Sequence, residues 1–128
     1  MSKNPRNESG KEFEGIVRDI LKEHEIRTNG PQSTGIDFPL LDFGIGLDAK
    51  GQSGDGTDFE GWPLKVYKHL KDHKRVVIVN RLPHRHLTRA SYLDMKEMVY
   101  KMGGEIVHID DFHNWCLELK DKEPEPFF

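Results

Sequence analysis

The stretch Thr34–Gln52, TGIDFPLLDFGIGLDAKGQ, decides how this chain is read. Two short apolar runs, Ile36–Leu41 and Phe43–Leu47, each end near an acidic residue or a glycine, the pattern of two adjacent strands joined tightly around Asp42–Gly44. Asp37 falls in the first strand, and Asp48 and Lys50 close the second. Strand side chains alternate between faces, so Asp48 and Lys50 project to one side and Ala49 to the other. With Asp37 beside them, two carboxylates and an ammonium converge. Paired carboxylates repel, and the commonest reason to hold two together is a hard divalent cation with oxygen ligands. A lysine next to such a cation is placed to steady a nucleophile or a developing negative charge. Taken alone, Asp-x-Lys is an ordinary surface pair at a strand end. The strand in front of it is nearly all apolar, however, so these charges do not belong to one solvated face.

Outward from this stretch, the flanking segments read as helices and strands in alternation. The first ten residues are polar and form an arm of about residues 1–9. Ser9 followed by Glu12 has capping-box spacing, and Phe13, Ile16, Val17, Ile20 and Leu21 then form an apolar helical stripe. Glu14 lies at the edge of that stripe. It is either a solvated helix acid, like Glu12, Asp19, Glu23 and Glu25, or a third carboxylate reaching the Asp37/Asp48 centre. Residues 51–63, GQSGDGTDFEGWP, are too glycine-rich for a helix and form a flap or a connector, with Trp62 tucked against the core or offered for stacking or dimer contact. Leu64–His73 reads as a helix burying Leu64, Tyr67 and Leu70. Val76–Val79 is a continuous apolar strand, central in a sheet, and Asn80–His86 is a loop. Thr88–Met102 is a second long helix, with Tyr92, Met95, Met98 and Val99 as its apolar positions, and Gly103–Gly104 ends it. Glu105–Ile109 is a further strand. Asp110 caps a last helix through Leu119, and residues 121–128 are an acidic tail. The expected fold is α/β, a mixed central sheet flanked by helices, in one domain spanning residues 1–128.

The composition, 35% hydrophobic and 32% charged over 128 residues, is that of a soluble globular protein, with no membrane-length apolar run and no signal-peptide core. The single Cys116 excludes an internal disulfide framework and suits a reducing, cytoplasmic compartment. A net charge of −3 does not advertise a nucleic-acid binder, but the charge is unevenly spread. Residues 65–89 hold eight Lys/Arg against one acid, whereas residues 31–62 hold six acids against Lys50. An acidic centre followed by a basic segment is the layout of a metal site that faces a polyanion. Lys65, Lys68, Lys71, Arg81, Arg85 and Arg89 form a plausible phosphate-contacting set, or else a solvated helix face.

Glu in the first helix, Asp in a strand, then Asp-x-Lys ending the next strand resembles the PD-(D/E)xK nuclease superfamily, here at Glu14, Asp37, Asp48 and Lys50. The opening Ser9-Gly-Lys-Glu-Phe-Glu14 and the segment Asp48-Ala-Lys-Gly51 look like small Holliday-junction resolvases, of the archaeal or the phage endonuclease type. Arg75–Asn80 and Ser91–Gly104 are also similar to the phage type. Ile36 stands where the family has proline before its first Asp, and Asp48 where resolvases usually carry Glu. The resemblance implies a restriction-endonuclease-like core and phosphodiester hydrolysis leaving a 5′-phosphate and a 3′-hydroxyl. It implies that Glu14, Asp37, Asp48 and the Ala49 carbonyl bind one or two Mg²⁺ or Mn²⁺, that Lys50 orients or deprotonates the attacking water, and that Gln52 is an auxiliary polar residue. The expected activity is therefore that of a metal-dependent DNA endonuclease, selective for branched DNA such as a four-way junction and acting as a homodimer, in a cell or encoded by a phage or virus. A restriction-like or phage nuclease cutting duplex or flapped DNA is the alternative enzyme. A non-catalytic nucleic-acid-binding module on the same fold is the alternative of a different class.

The histidines suggest less. His69 and His73 have i, i+4 spacing, while His84-x-His86 and His113-x-x-Cys116 are short pairs. Without a cysteine pair none completes a structural zinc site, and phosphate or solvent contact is the simpler reading.

Overall fold

The structure, a computed structural model, describes residues 5–28, 36–40, 42–50 and 59–121. In chain order these form α1 (Pro5–Glu23), β1 (Phe38–Leu40), β2 (Ile45–Lys50), a 3₁₀ turn (Phe59–Gly61), α2 (Trp62–His69), β3 (Arg75–Asn80), α3 (His84–Leu87), α4 (Ala90–Lys101), β4 (Gly104–His108) and α5 (Ile109–Asp121). The four strands make one mixed sheet in the order β1-β2-β3-β4. β1 runs antiparallel to β2, and β2, β3 and β4 are mutually parallel. The α/β class and the helix-flanked mixed sheet are as expected. No described helix is long and apolar enough to cross a membrane.

Helices cover both faces because the strands are apolar on both. In β3 the four residues Val76–Val79 are buried without alternation, the signature of a central parallel strand between two helical layers. Val77 and Val79 join Phe13, Val17 and Leu21 of α1 and Phe112 and Cys116 of α5 in one core. Val76 and Ile78 join Trp62 and Val66 of α2 and Tyr92, Met95 and Val99 of α4 in the other. Full burial of each such aliphatic side chain contributes roughly 1.5–3 kcal/mol, so β3 is the spine of the fold.

The end of α4 shows why glycines stand there. Gly103 has φ +101, a left-handed conformation that turns the chain from α4 into β4. A Cβ on Gly104 would lie 2.7 Å from Val66 Cγ1, 2.8 Å from Val99 Cγ1 and 3.0 Å from the Val76 carbonyl oxygen, so β4 can start only where no side chain intervenes.

Several local expectations are corrected. α1 starts at Pro5, so residues 5–9 are helical and Ser9 lies inside the helix instead of capping it. β1 is shorter than the apolar run Ile36–Leu41, and Asp37 sits one residue ahead of it. β2 keeps Asp48 and Lys50 as expected but begins at Ile45, not Phe43. The segment 84–87, expected in a loop, is the short α3, and α4 begins only at Ala90. Met98 is exposed.

The correction that matters most concerns α2. It spans Trp62–His69, not Leu64–His73, and buries Trp62 and Val66, while Leu64 and Tyr67 are 60% and 69% exposed. Trp62 is thus a core residue, packed edge-on to Phe59. The helix is rotated relative to the face that Leu64, Tyr67 and Leu70 suggest, and this rotation aims Lys65 at the sheet.

Candidate functional site

The hairpin of β1 and β2 builds the centre of the site. Phe38 pairs with Leu47 and Leu40 with Ile45, so Asp37 falls opposite Asp48. Residues directly opposite on antiparallel strands share a face. Ile45 and Leu47 point into the α1/α5 core. The pleat then turns Asp48 and Lys50 to the α2 side, and Ala49 packs against the α1/α5 core.

Asp37 Oδ2 accepts the backbone N–H of Ala49 at 2.9 Å. Asp48, 2% exposed, places Oδ2 2.9 Å from Lys65 Nζ and 3.3 Å from Lys50 Nζ. That oxygen accepts no well-aligned hydrogen bond, so its nearest charge compensation is ionic. Burial, a hydrogen bond shared with Asp48 and the charge of that neighbour push the Asp37 carboxyl up to about 7, against the lowering effect of the Ala49 amide. Glu14 of α1 adds the smallest part of this push, which places its carboxylate within electrostatic reach of Asp37. Burial alone would raise Asp48 as well. The hydrogen bond from Asp37 and the two lysines outweigh it and hold Asp48 below the usual carboxylate range. Lys50 is driven below an ordinary lysine by burial and by Lys65 beside it, despite the attraction of Asp48. Lys65 is raised, its own desolvation being overcome by Lys50, Asp48 and Asp37. One turn along α2, His69 is lowered by burial while feeling the Asp48 charge.

Asp37, Asp48 and Lys50 therefore meet at one place, at the carboxyl end of β2, and Glu14 is near enough for its charge to be felt at Asp37. Lys65, grouped by sequence with the phosphate-contacting cations, belongs to this centre as well. The other basic residues divide. Lys68 is exposed on α2, and Lys71 lies in the turn before β3. That turn is at the opposite end of the sheet, where the Lys74 amide donates to the Gly44 carbonyl at 2.9 Å. Arg81, Arg85 and Arg89 follow β3 at the same end as Lys50. Arg81 lies over the Phe13 ring, 5.2 Å from its centroid, and 3.9 Å from Glu12 Oε1. Gln52 and the rest of 51–58 lie outside the described residues.

The ladder aligns Lys50, Asn80 and His108 across the carboxyl ends of the three parallel strands, the edge where open α/β sheets bind ligands. Asn80 is buried, donating to the Tyr92 hydroxyl at 3.3 Å and accepting from the Leu82 amide at 3.1 Å. Further along, His84, His108 and Asp110 bring three potential ligand atoms within 4.8 Å of one another. A structural role accounts for His108. Its Nε2–H donates to the Leu82 carbonyl at 2.8 Å and its Nδ1 accepts the Asp110 amide at 3.1 Å, capping α5 and leaving neither ring nitrogen open. His84 makes an exposed ion pair with Asp110.

The remaining histidine pairs belong to no such group of three among the described residues. His73 packs over Gly46 rather than pairing with His69. His113 contacts His24 at 3.0 Å. Cys116 is buried, its thiol pushed up to about 12, which makes it inert.

No family model, characterised protein or solved structure matches this chain.

Proposed function

We propose that this chain is a divalent-metal-dependent DNA endonuclease of the PD-(D/E)xK type, on a restriction-endonuclease-like core. One observation carries the reading: Asp37, Asp48 and Lys50, with Glu14 in electrostatic reach, converge at the carboxyl end of β2. Two adjacent carboxyls, one of them held protonated up to about pH 7 by burial and its neighbour, and a buried carboxylate oxygen without an aligned donor support a cation site here. The donor set is all oxygen, from Asp37, Asp48, Glu14 and the Ala49 carbonyl, and it fits Mg²⁺ or Mn²⁺ better than a zinc-preferring nitrogen or sulfur set. Such an ion, when bound, neutralises charge on the phosphate and lowers the pKa of bound water.

The chain's own residues supply the rest. Lys50, held below an ordinary lysine by its surroundings, is suited to take or share the proton of the attacking water. Asp37 fixes the backbone at Ala49 and so the angle between Asp48 and Lys50. Arg81, Arg85 and Arg89, at the same sheet end, contact backbone phosphates without reading sequence. Among the described residues one sheet and its flanking helices surround the site, with no separate sequence-reading unit. DNA shape, read by two subunits at a four-way junction, is then the economical source of selectivity.

The deciding experiment incubates the protein with a four-way junction, the matching duplex and a single strand, each in Mg²⁺ or EDTA. Metal-dependent cutting of the junction alone supports resolution, and cutting of all forms supports a broader nuclease. Binding that never leads to cutting removes the enzyme reading.

A further inference from the structure

We propose that Lys65 is a displaceable counter-ion: its ammonium holds Asp48 in the metal-free protein and moves to a substrate phosphate when a divalent cation takes its place. This rests on the nuclease reading above and adds to it a second lysine, from a different element, with a timed role.

Two ammonium groups converge on one buried carboxylate oxygen, and the nearer is not Lys50 of the same strand but Lys65 of α2, 2.9 Å against 3.3 Å. That oxygen receives no aligned hydrogen bond, so the contact is a charge held against a charge, easily exchanged for a stronger one. A hard cation would sit 2.0–2.6 Å from the same oxygen, and like charges cannot share that space, so one lysine has to leave. Lys50 is fixed by its strand: its backbone pairs with Asn80 and its side chain shares the Asp48 face. Lys65 stands on a helix anchored independently through Trp62 and Val66, with about a third of its side chain open to solvent. Its four-carbon stem can swing without disturbing the core. The nearest negative charge for it then is the phosphate that the metal has drawn in.

The test is calorimetric titration of Mn²⁺ into the full chain, comparing wild type with Lys65→Met, Lys65→Gln and Lys65→Arg. Lys96→Met, on α4, controls for the loss of one positive charge, and Asp48→Asn reports whether the bound ion is at this centre. Removing the competing ammonium should tighten Mn²⁺ binding on the order of tenfold, within the usual range of coupling between two ligands. Met and Gln should behave alike, so that one suffices if the other fails to fold. Lys65→Arg should stay near wild type, and the control should change little. With Ca²⁺ present, Lys65→Met should also weaken DNA binding more than it does in EDTA. Unchanged or weaker Mn²⁺ affinity in Met and Gln, with wild-type binding abolished by Asp48→Asn, would overturn the role of Lys65 and leave the nuclease reading standing. No Mn²⁺ binding to any form would overturn both.

Discussion

The carboxylate of Asp37, just ahead of β1, accepts the amide of Ala49, the residue between the two charged side chains of β2. This bond crosses the hairpin and ties together an acid and a backbone that are twelve residues apart. It makes the geometry of the site a property of the sheet and not of a loop.

Asp48→Asn should cut cleavage by roughly 10³-fold or more, equivalent to about 4 kcal/mol of transition-state stabilisation. Junction affinity should fall far less. Asparagine is a better test than alanine, because a cavity beside Lys50 and Lys65 would confound chemistry with folding. Single-turnover cleavage and a binding isotherm on the same preparation make the comparison. Equal rates for variant and wild type would displace the site.

Asp37 gives the metal-free protein a pH signature. The native carboxyl, pushed up to about 7 from an ordinary 3.8, keeps a proton that the unfolded chain has lost in between. Its contribution to stability is therefore full below about pH 4 and is lost as pH rises through 7. Asp37→Asn preserves the neutral shape at every pH. In EDTA the variant should gain on wild type between pH 5 and pH 8 by about 1–2 kcal/mol, a figure reduced for solvent screening of a partly exposed group. Urea melts across that range would reveal it, and parallel curves would contradict it.

Gly104→Ala should destabilise without touching the site. Its Cβ would meet Val66, Val99 and the Val76 carbonyl at 3.0 Å or less. Overpacking of this kind costs about 2 kcal/mol, a fall in Tm of roughly 5–10 °C. A thermal melt measures it, and the residual folded protein should cut normally.

His108 and His84 should separate. His108→Ala removes the cap of α5 and the bond to Leu82 and should cost about 1–3 kcal/mol. His84→Ala loses a surface contact with Asp110, 75% exposed on the histidine side, and a tilted ring contact with His108, and should cost clearly less. A shared zinc site would make the two equally damaging in added Zn²⁺, which denaturation with and without the metal would expose.

Much of the centre was legible because it is written in strand periodicity. Asp48, Ala49 and Lys50 had to alternate, and a tight reversal after Leu40 had to return Asp37 to their side. The helix phases were less legible. Leu64, Tyr67 and Leu70 form a tempting stripe, but Trp62 and Val66 offered the sheet a better surface and turned α2 accordingly. By sequence Lys65 therefore falls among phosphate-contacting or solvated cations, since its place depends on packing between segments distant in the chain. Ser9 and Glu12 match a cap by spacing, yet nothing between Pro5 and Ser9 stops a helix that can begin earlier. The turn His84–Leu87 reads as loop in the sequence because a single helical turn is too short for periodicity to register.

The reversal between Leu40 and Ile45 carries a last consequence. Because the pleat has a repeat of two, lengthening this connection by one residue would slide β1 by one position and send Asp37 to the far side of the sheet. The product would be a folded scaffold with one of its acids missing from the centre. Turn length is thus a hereditary constraint on the chemistry, and an insertion there would be more damaging than most substitutions in the acids' surroundings.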